Sequence, residues 1–149
     1  MFWTISLIKL KIFISSDHAG FSLKNHIFEN LKKKNFKIEN LGPFNDKSVD
    51  YPIYAKKLAN KVSKNKTNFG ILVCGSGTGM AIAANRVKNI RAAVCYNVKN
   101  TKLSRLHNNA NVITVGSRLT STNLAFKLVN IFLKTKFEGG RHKKRVKKI

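Results

Sequence analysis

The chain has 149 residues, 43% of them hydrophobic and 23% charged, which is one domain's worth of sequence with enough apolar content to bury a core, and this excludes wholesale disorder. Its most apolar stretch, Ile5 to Ile14, is broken by Lys9 and Lys11 and falls far short of the roughly 20 residues a membrane span needs; two cysteines cannot staple a fold of this length. Lysine plus arginine outnumber aspartate plus glutamate 29 to 6, for a formal net charge of +23.

Such a balance admits a nucleic-acid or anionic-membrane footprint. Yet lysines such as Lys24, Lys32, Lys56, Lys61, Lys88, Lys102 and Lys127 are spread over every segment. Aromatic residues do not interleave with the basic ones as they do on a base-stacking surface. The charge therefore reads as compositional, apart from the dense block Arg141 to Lys148. The start, Met1-Phe2-Trp3, lacks a basic leading region and a small-residue cleavage site. It reads as a short extension of residues 1–10 rather than a secretion signal. With both cysteines expected to stay reduced, the expected location is cytoplasmic.

In chain order, the first predicted strand is Lys11–Ser15. The apolar face Phe21, Lys24, Ile27, Phe28, Leu31 predicts a helix after it. A second strand, Phe36–Asn40, precedes Asp50-Tyr51-Pro52, an N-cap followed by proline in the first turn of a helix whose stripe is Tyr54, Ala55, Leu58, Ala59, Val62. Strands Gly70–Cys74, Ala92–Cys95 and Val112–Val115 follow, and Ser121 caps a helix carrying Leu124, Leu128 and Phe132. Most of the strand runs are continuously apolar, as in a parallel sheet buried on both faces. The pattern predicts a single α/β domain over 1–149: a Rossmann-like three-layer sandwich, a five-stranded parallel sheet with helices on both faces. Residues 141–149 form a basic C-terminal segment of it.

Ligands of such sheets bind beyond the carboxyl ends of the strands. The sharpest signal there is Cys74-Gly75-Ser76-Gly77-Thr78-Gly79. Its glycines let backbone N–H groups approach an anion at the start of a helix; a tight turn that merely packs is the alternative. The spacing matches neither a dinucleotide fingerprint nor a Walker loop. Cys74 could be a nucleophile or base, or a small core residue; Cys95, inside an apolar run, reads as core. Asp17 could accept sugar hydroxyls and His18 could donate to a phosphate, or Asp17 could simply cap the next helix. His107, before Asn108 at a helix end, suits acid–base work, or complements the helix dipole. Arg141 and Arg145 share a helix face and could grip a phosphate, or belong to a solvated tail. The histidines are dispersed, and no spacing resembles a metal site.

Taken together these segments resemble the type B ribose-5-phosphate isomerases, in one family with galactose-6-phosphate isomerase subunits. The matching stretches are Ser16 to Phe21, Asp50 to Ala55, Cys74 to Gly79, Ala83 to Arg86, Ile90 to Ala93, Leu103 to Asn108, Asn111-Val112, Gly116 to Arg118 and Glu138 to His142, in family order. The resemblance implies cofactor-free interconversion of ribose 5-phosphate and ribulose 5-phosphate by a homodimer with shared active sites, pairing into tetramers being left open. It implies Cys74 as the base moving a proton between C1 and C2, since Met80 stands where other members carry a glutamate. It implies His107 in ring opening, assisted by Asp17, and an enediolate held by Ser76 and the N–H groups of Gly75, Gly77, Thr78 and Gly79. Asn108 would hold a sugar oxygen, Tyr51 would line the site, and His18, Arg118, Arg141 and Arg145 would bind phosphate. A hexose-6-phosphate isomerase on the same scaffold and, in another class, a basic RNA-binding module are the alternatives.

Overall fold

The computed structural model describes residues 10–149; apart from Leu10, the expected N-terminal extension lies outside them. Strands β1 (Lys11–Ser16), β2 (Lys37–Asn40), β3 (Asn68–Cys74), β4 (Ala92–Val94) and β5 (Val112–Gly116) form one sheet in the order β2-β1-β3-β5-β4. Every pairing is parallel, with Ile14, Ile71 and Ile113 in one row across the three central strands. The five predicted runs are these five strands, shifted by a residue or two at their ends.

The helices are α1 (Phe21–Lys33), α2 (Tyr51–Val62), α3 (Thr78–Ala84), α4 (Val98–Leu106), α5 (Thr122–Lys134) and α6 (Arg141–Val146). Strand side chains alternate between faces. Ile12, Ile14, Ile71, Val73, Ile113 and Val115 meet Leu23, Ile27, Leu31, Leu128 and Phe132 of α1 and α5. Phe13, Leu72 and Cys74 meet Leu58, Val62, Met80 and Ala84 of α2 and α3 on the other face. Central β5 is buried throughout, whereas edge strand β2 alternates, with Lys37 and Glu39 exposed. Ser121 caps α5 as expected, accepting the Leu124 N–H at 3.2 Å. Asp50 holds the N-cap position of α2 but makes no side-chain cap bond. Among the described residues no helix is long and apolar enough to cross a membrane.

One of the lysines spread along the chain is not at the surface. Lys24 is fully buried. Its ammonium donates to the Pro43 carbonyl and, at 3.2 Å, to Asn40 Oδ1, between the rings of Phe21 and Phe44. Burial lowers its pKa to about 8 from 10.5. Between those values the unfolded chain holds a proton that the folded chain has released, so this group's contribution to stability rises with pH across that window. The expected rise is up to about 3 kcal/mol. Denaturant titrations at pH 7.5 and pH 10 should show it in the parent, and a Lys24→Met variant should lose that part of the slope.

Candidate active site

The chain leaves β1 toward β2 on one side of the sheet and leaves β3 toward β4 and β5 on the other. The adjacent carboxyl ends of β1 and β3 thus form the topological switch point, where α/β sheets bind ligands. A cavity of about 290 Å³ opens there, lined by Asp17, Tyr51, Cys74, Gly75, Ser76, Gly79, Arg118 and Leu119.

Cys74 ends β3 with its side chain toward the α2–α3 layer, 5% exposed. Cys74 is thus a core residue, one of the two readings of it, and it also lines the cavity. Its Sγ accepts the Gly77 N–H at 3.0 Å. Gly77 sits in the left-handed region at φ +80, a conformation that side chains disfavour, and caps α3. Its carbonyl is held by the Thr114 hydroxyl at 2.8 Å. The other loop glycines matter by space. A Cβ on Gly75 would lie 3.1 Å from the Arg118 guanidinium, and one on Gly79 would lie 2.7 Å from the Tyr51 ring. Gly77 and Thr78 spend their N–H groups on Cys74 and on the Ser76 hydroxyl. With those two N–H groups engaged, the loop has Gly75, Ser76 and Gly79 to offer a ligand.

Asp17 Oδ1 accepts the Gly20 N–H at 3.0 Å, fixing the turn into α1, while the carboxylate still reaches the cavity. Gly20 has no room for a side chain, since a Cβ would lie 2.3 Å from the Val73 carbonyl oxygen. That close approach seats the loop after β1 against the end of β3. His18 is exposed and its Nδ1 accepts the Val49 N–H at 3.2 Å; it does not line the cavity. The end of β5 closes the floor. Ser117 N–H bonds the Cys74 carbonyl at 2.8 Å, and Arg118 N–H bonds the Gly75 carbonyl at 3.0 Å.

The rest of the predicted constellation is elsewhere. His107 follows α4, five residues before β5 begins, and so lies by the amino edge of the sheet. Cys74 is at the carboxyl edge. The two are separated by about the length of a strand, roughly 17–23 Å for five to seven residues. A second cavity, of about 270 Å³, is lined by His107, Asn108, His142, Arg145, Val146 and Ile149. Arg141 and Arg145 are both exposed on α6, and only Arg145 lines this cavity.

Within it, histidines that look dispersed in the sequence come together. His107 and His142 stack with ring centroids 4.2 Å apart, and Glu138 Oε2 lies 3.9 Å from His107 Nε2. His142 is buried, and its Nε2 has no hydrogen-bond partner among the described residues. Burial lowers the pKa of His142, and the neighbouring His107, Arg141 and Arg145 lower it further against the pull of Glu138. Sequence reasoning assigned no role to Glu138, His142 or Leu119. It also passed over Arg105, which braces the His107 segment. This arginine is buried, donates to the carbonyls of Thr135 at 2.9 Å and Ala110 at 2.5 Å, and lies between the rings of Phe69 and Phe132. Its pKa is lowered to about 10, by burial first and then by Arg91. Cys95 is core, as expected, its thiol pKa raised by burial.

Fold and cavities together define a doubly wound α/β protein with a switch-point cleft that offers a thiol, a carboxylate, backbone N–H groups and a guanidinium to a small anionic ligand. Comparison with known proteins sharpens this. The Ribose/Galactose Isomerase family matches residues 12–149, and the chain belongs to that family. The probable ribose-5-phosphate isomerase B of Mycoplasma genitalium is 46% identical over 144 residues, covering 95% of each chain. Ribose-5-phosphate isomerase B of Escherichia coli is 40% identical over 139 residues, covering 93% of each. Among solved structures, the Thermotoga maritima ribose 5-phosphate isomerase superposes with a TM-score of 0.91 at 47% identity, covering 94% of this chain and 97% of its own. The Mycoplasma genitalium enzyme, solved with bound ribulose 5-phosphate, does so at 0.91 and 45%, covering 95% and 94%.

Proposed function

We propose that this chain forms a single catalytic domain that interconverts D-ribose 5-phosphate and D-ribulose 5-phosphate without a cofactor, as a cytoplasmic homodimer. The observation that carries this reading is the split of the machinery. Cys74 and His107 occupy separate cavities at opposite edges of one sheet. An isologous pair can set the thiol cavity of each subunit against the imidazole cavity of the other. The exposed Leu119 and Tyr51 at the thiol cavity, and exposed Ile149 at the other, supply apolar surface for that contact.

In the composite site His107 protonates the ring oxygen of the furanose while Asp17 takes the proton of the anomeric hydroxyl, giving the open aldehyde. Cys74 removes the C2 proton and returns it to C1, while the O2 hydroxyl proton passes to O1, so that C2 ends as the ketone and C1 as the hydroxymethyl group. Between those steps the enediolate oxygens are held by Ser76 and by the N–H groups of Gly75 and Gly79, donors aimed where the charge develops. Asn108 holds a sugar oxygen and Tyr51 walls the site. Arg118 of one subunit, with Arg141 and Arg145 of the other and His18 at the rim, receives the phosphate. The buried thioether of Met80 beside the loop cannot accept a proton, which leaves that duty to Cys74.

The test is incubation of the purified protein with ribose 5-phosphate, allose 6-phosphate and galactose 6-phosphate in parallel. Ribulose 5-phosphate formation from the pentose is expected. Turnover of a hexose phosphate alone would move the substrate and keep the mechanism. Silence with all three would sink the reading and favour steeply salt-dependent RNA binding instead.

A further inference from the structure

We propose that His107, Glu138 and His142 form a transition-metal site, and that a zinc ion held there inhibits the protein. One donor atom of each residue lies within 4.8 Å of the other two, although the three come from the end of α4, the segment before α6 and α6 itself. Zinc bonds of 2.0–2.2 Å in a tetrahedral arrangement place donors about 3.2–3.6 Å apart, so closure needs a contraction of about 1 Å and, because the two rings lie stacked only 16° from parallel while a metal sits in the plane of each imidazole it binds, a turn of His107 out of the stack. The moving parts are free to supply it. Glu138 is exposed and His107 is partly exposed, whereas His142 is 6% exposed and fixed.

The buried Nε2 of His142 is the second observation. Most buried polar atoms find a partner, and this one has none among the described residues. Two imidazoles and one carboxylate make a set suited to zinc, with the fourth position open. The guanidinium groups of Arg141 and Arg145 oppose a cation. Glu138 is the one carboxylate in the cluster, so occupancy turns on it. Arg145 and Asn108 line the same cavity, so metal and substrate would compete for it. The inhibition rests on the isomerase reading; the binding does not.

The test uses the chelator-treated full-length protein and Co²⁺ as a spectroscopic stand-in, displaced by Zn²⁺. Visible cobalt bands without a near-ultraviolet thiolate band are expected, unchanged in Cys74→Ala. Glu138→Gln, a surface change that leaves the fold intact, should weaken binding at least about tenfold, the loss that even an indirect metal contact causes. His142→Asn should do the same. In turnover assays Zn²⁺ should inhibit competitively and reversibly on chelation, and Glu138→Gln should need at least about tenfold more of it. A thiolate band, cobalt binding that Glu138→Gln leaves unchanged, or no binding at millimolar metal would each overturn the proposal. Cobalt binding by a protein that turns over no sugar phosphate would uphold the site and sink the isomerase reading instead.

Discussion

Replacing Cys74 with alanine is expected to lower turnover of ribose 5-phosphate by about 10³-fold, within the range a positioned acid or base contributes, while the dissociation constant for the sugar phosphate changes little. The asymmetry follows from geometry. The proposed phosphate ligands, Arg118 with Arg141 and Arg145 of the other subunit and His18 at the rim, and the proposed N–H donors of the glycine loop do not rest on the thiol alone. Gly77 is also held by Thr114, and Gly75 by the backbone of Arg118. Removal of Sγ leaves a small void and takes away the proposed base. Cys74→Ser refines the test. A hydroxyl keeps an acceptor for the Gly77 N–H, yet is a far weaker base, so it should restore the loop and not the rate. Single-turnover kinetics with binding measured separately would check both variants. An alanine variant with more than about a tenth of parental activity would remove Cys74 from its role.

The second large effect is recovery of activity. Cys74→Ala and His107→Ala homodimers should each be nearly inactive. If each site takes its thiol from one subunit and its imidazole from the other, a mixed dimer carries one intact site and one doubly damaged site. Random exchange of equal amounts gives about half mixed dimers, hence about a quarter of parental activity. Co-expression under two affinity tags, or slow exchange in dilute denaturant, would supply the mixture. Activity that stays at the level of the parents after exchange is verified would mean that thiol and imidazole act from one chain or not at all. Analytical ultracentrifugation of the parent shows whether a dimer exists to be mixed.

Legibility in the sequence divides along a physical line. The strands could be read because β-branched runs at the sheet centre are buried on both faces, so their signal is continuous and local. The glycine loop could be read because three glycines within five residues, at a strand's carboxyl end, restrict what the chain can do there. Its finer economy could not. That Gly77 spends its N–H on the thiol, and that Gly79 is small for the sake of Tyr51, depend on how α3 and α2 meet. His18 shows the same limit: it follows the first strand as expected, but a bond to Val49 from a distant loop holds its ring.

Lys24 and the histidines mark the boundary most clearly. Lys24 sits on the apolar stripe of α1, and only the packing of Phe44 and the Pro43 carbonyl against that stripe makes it a buried amine. His107 and His142 lie 35 positions apart by number, and they stack because α4 and α6 converge at the amino edge of the sheet. By itself the sequence determined the α/β alternation, the five strands to within a residue or two at their ends, the glycine loop and the set of chemically competent side chains, since each depends on neighbours along the chain. The tertiary structure alone decided which of those side chains meet, His107 with His142 in one cavity and Cys74 with Asp17 and Arg118 in another. Every crossover helix reverses the chain, so a residue ending a helix and a residue ending a strand finish on opposite sides of the same sheet.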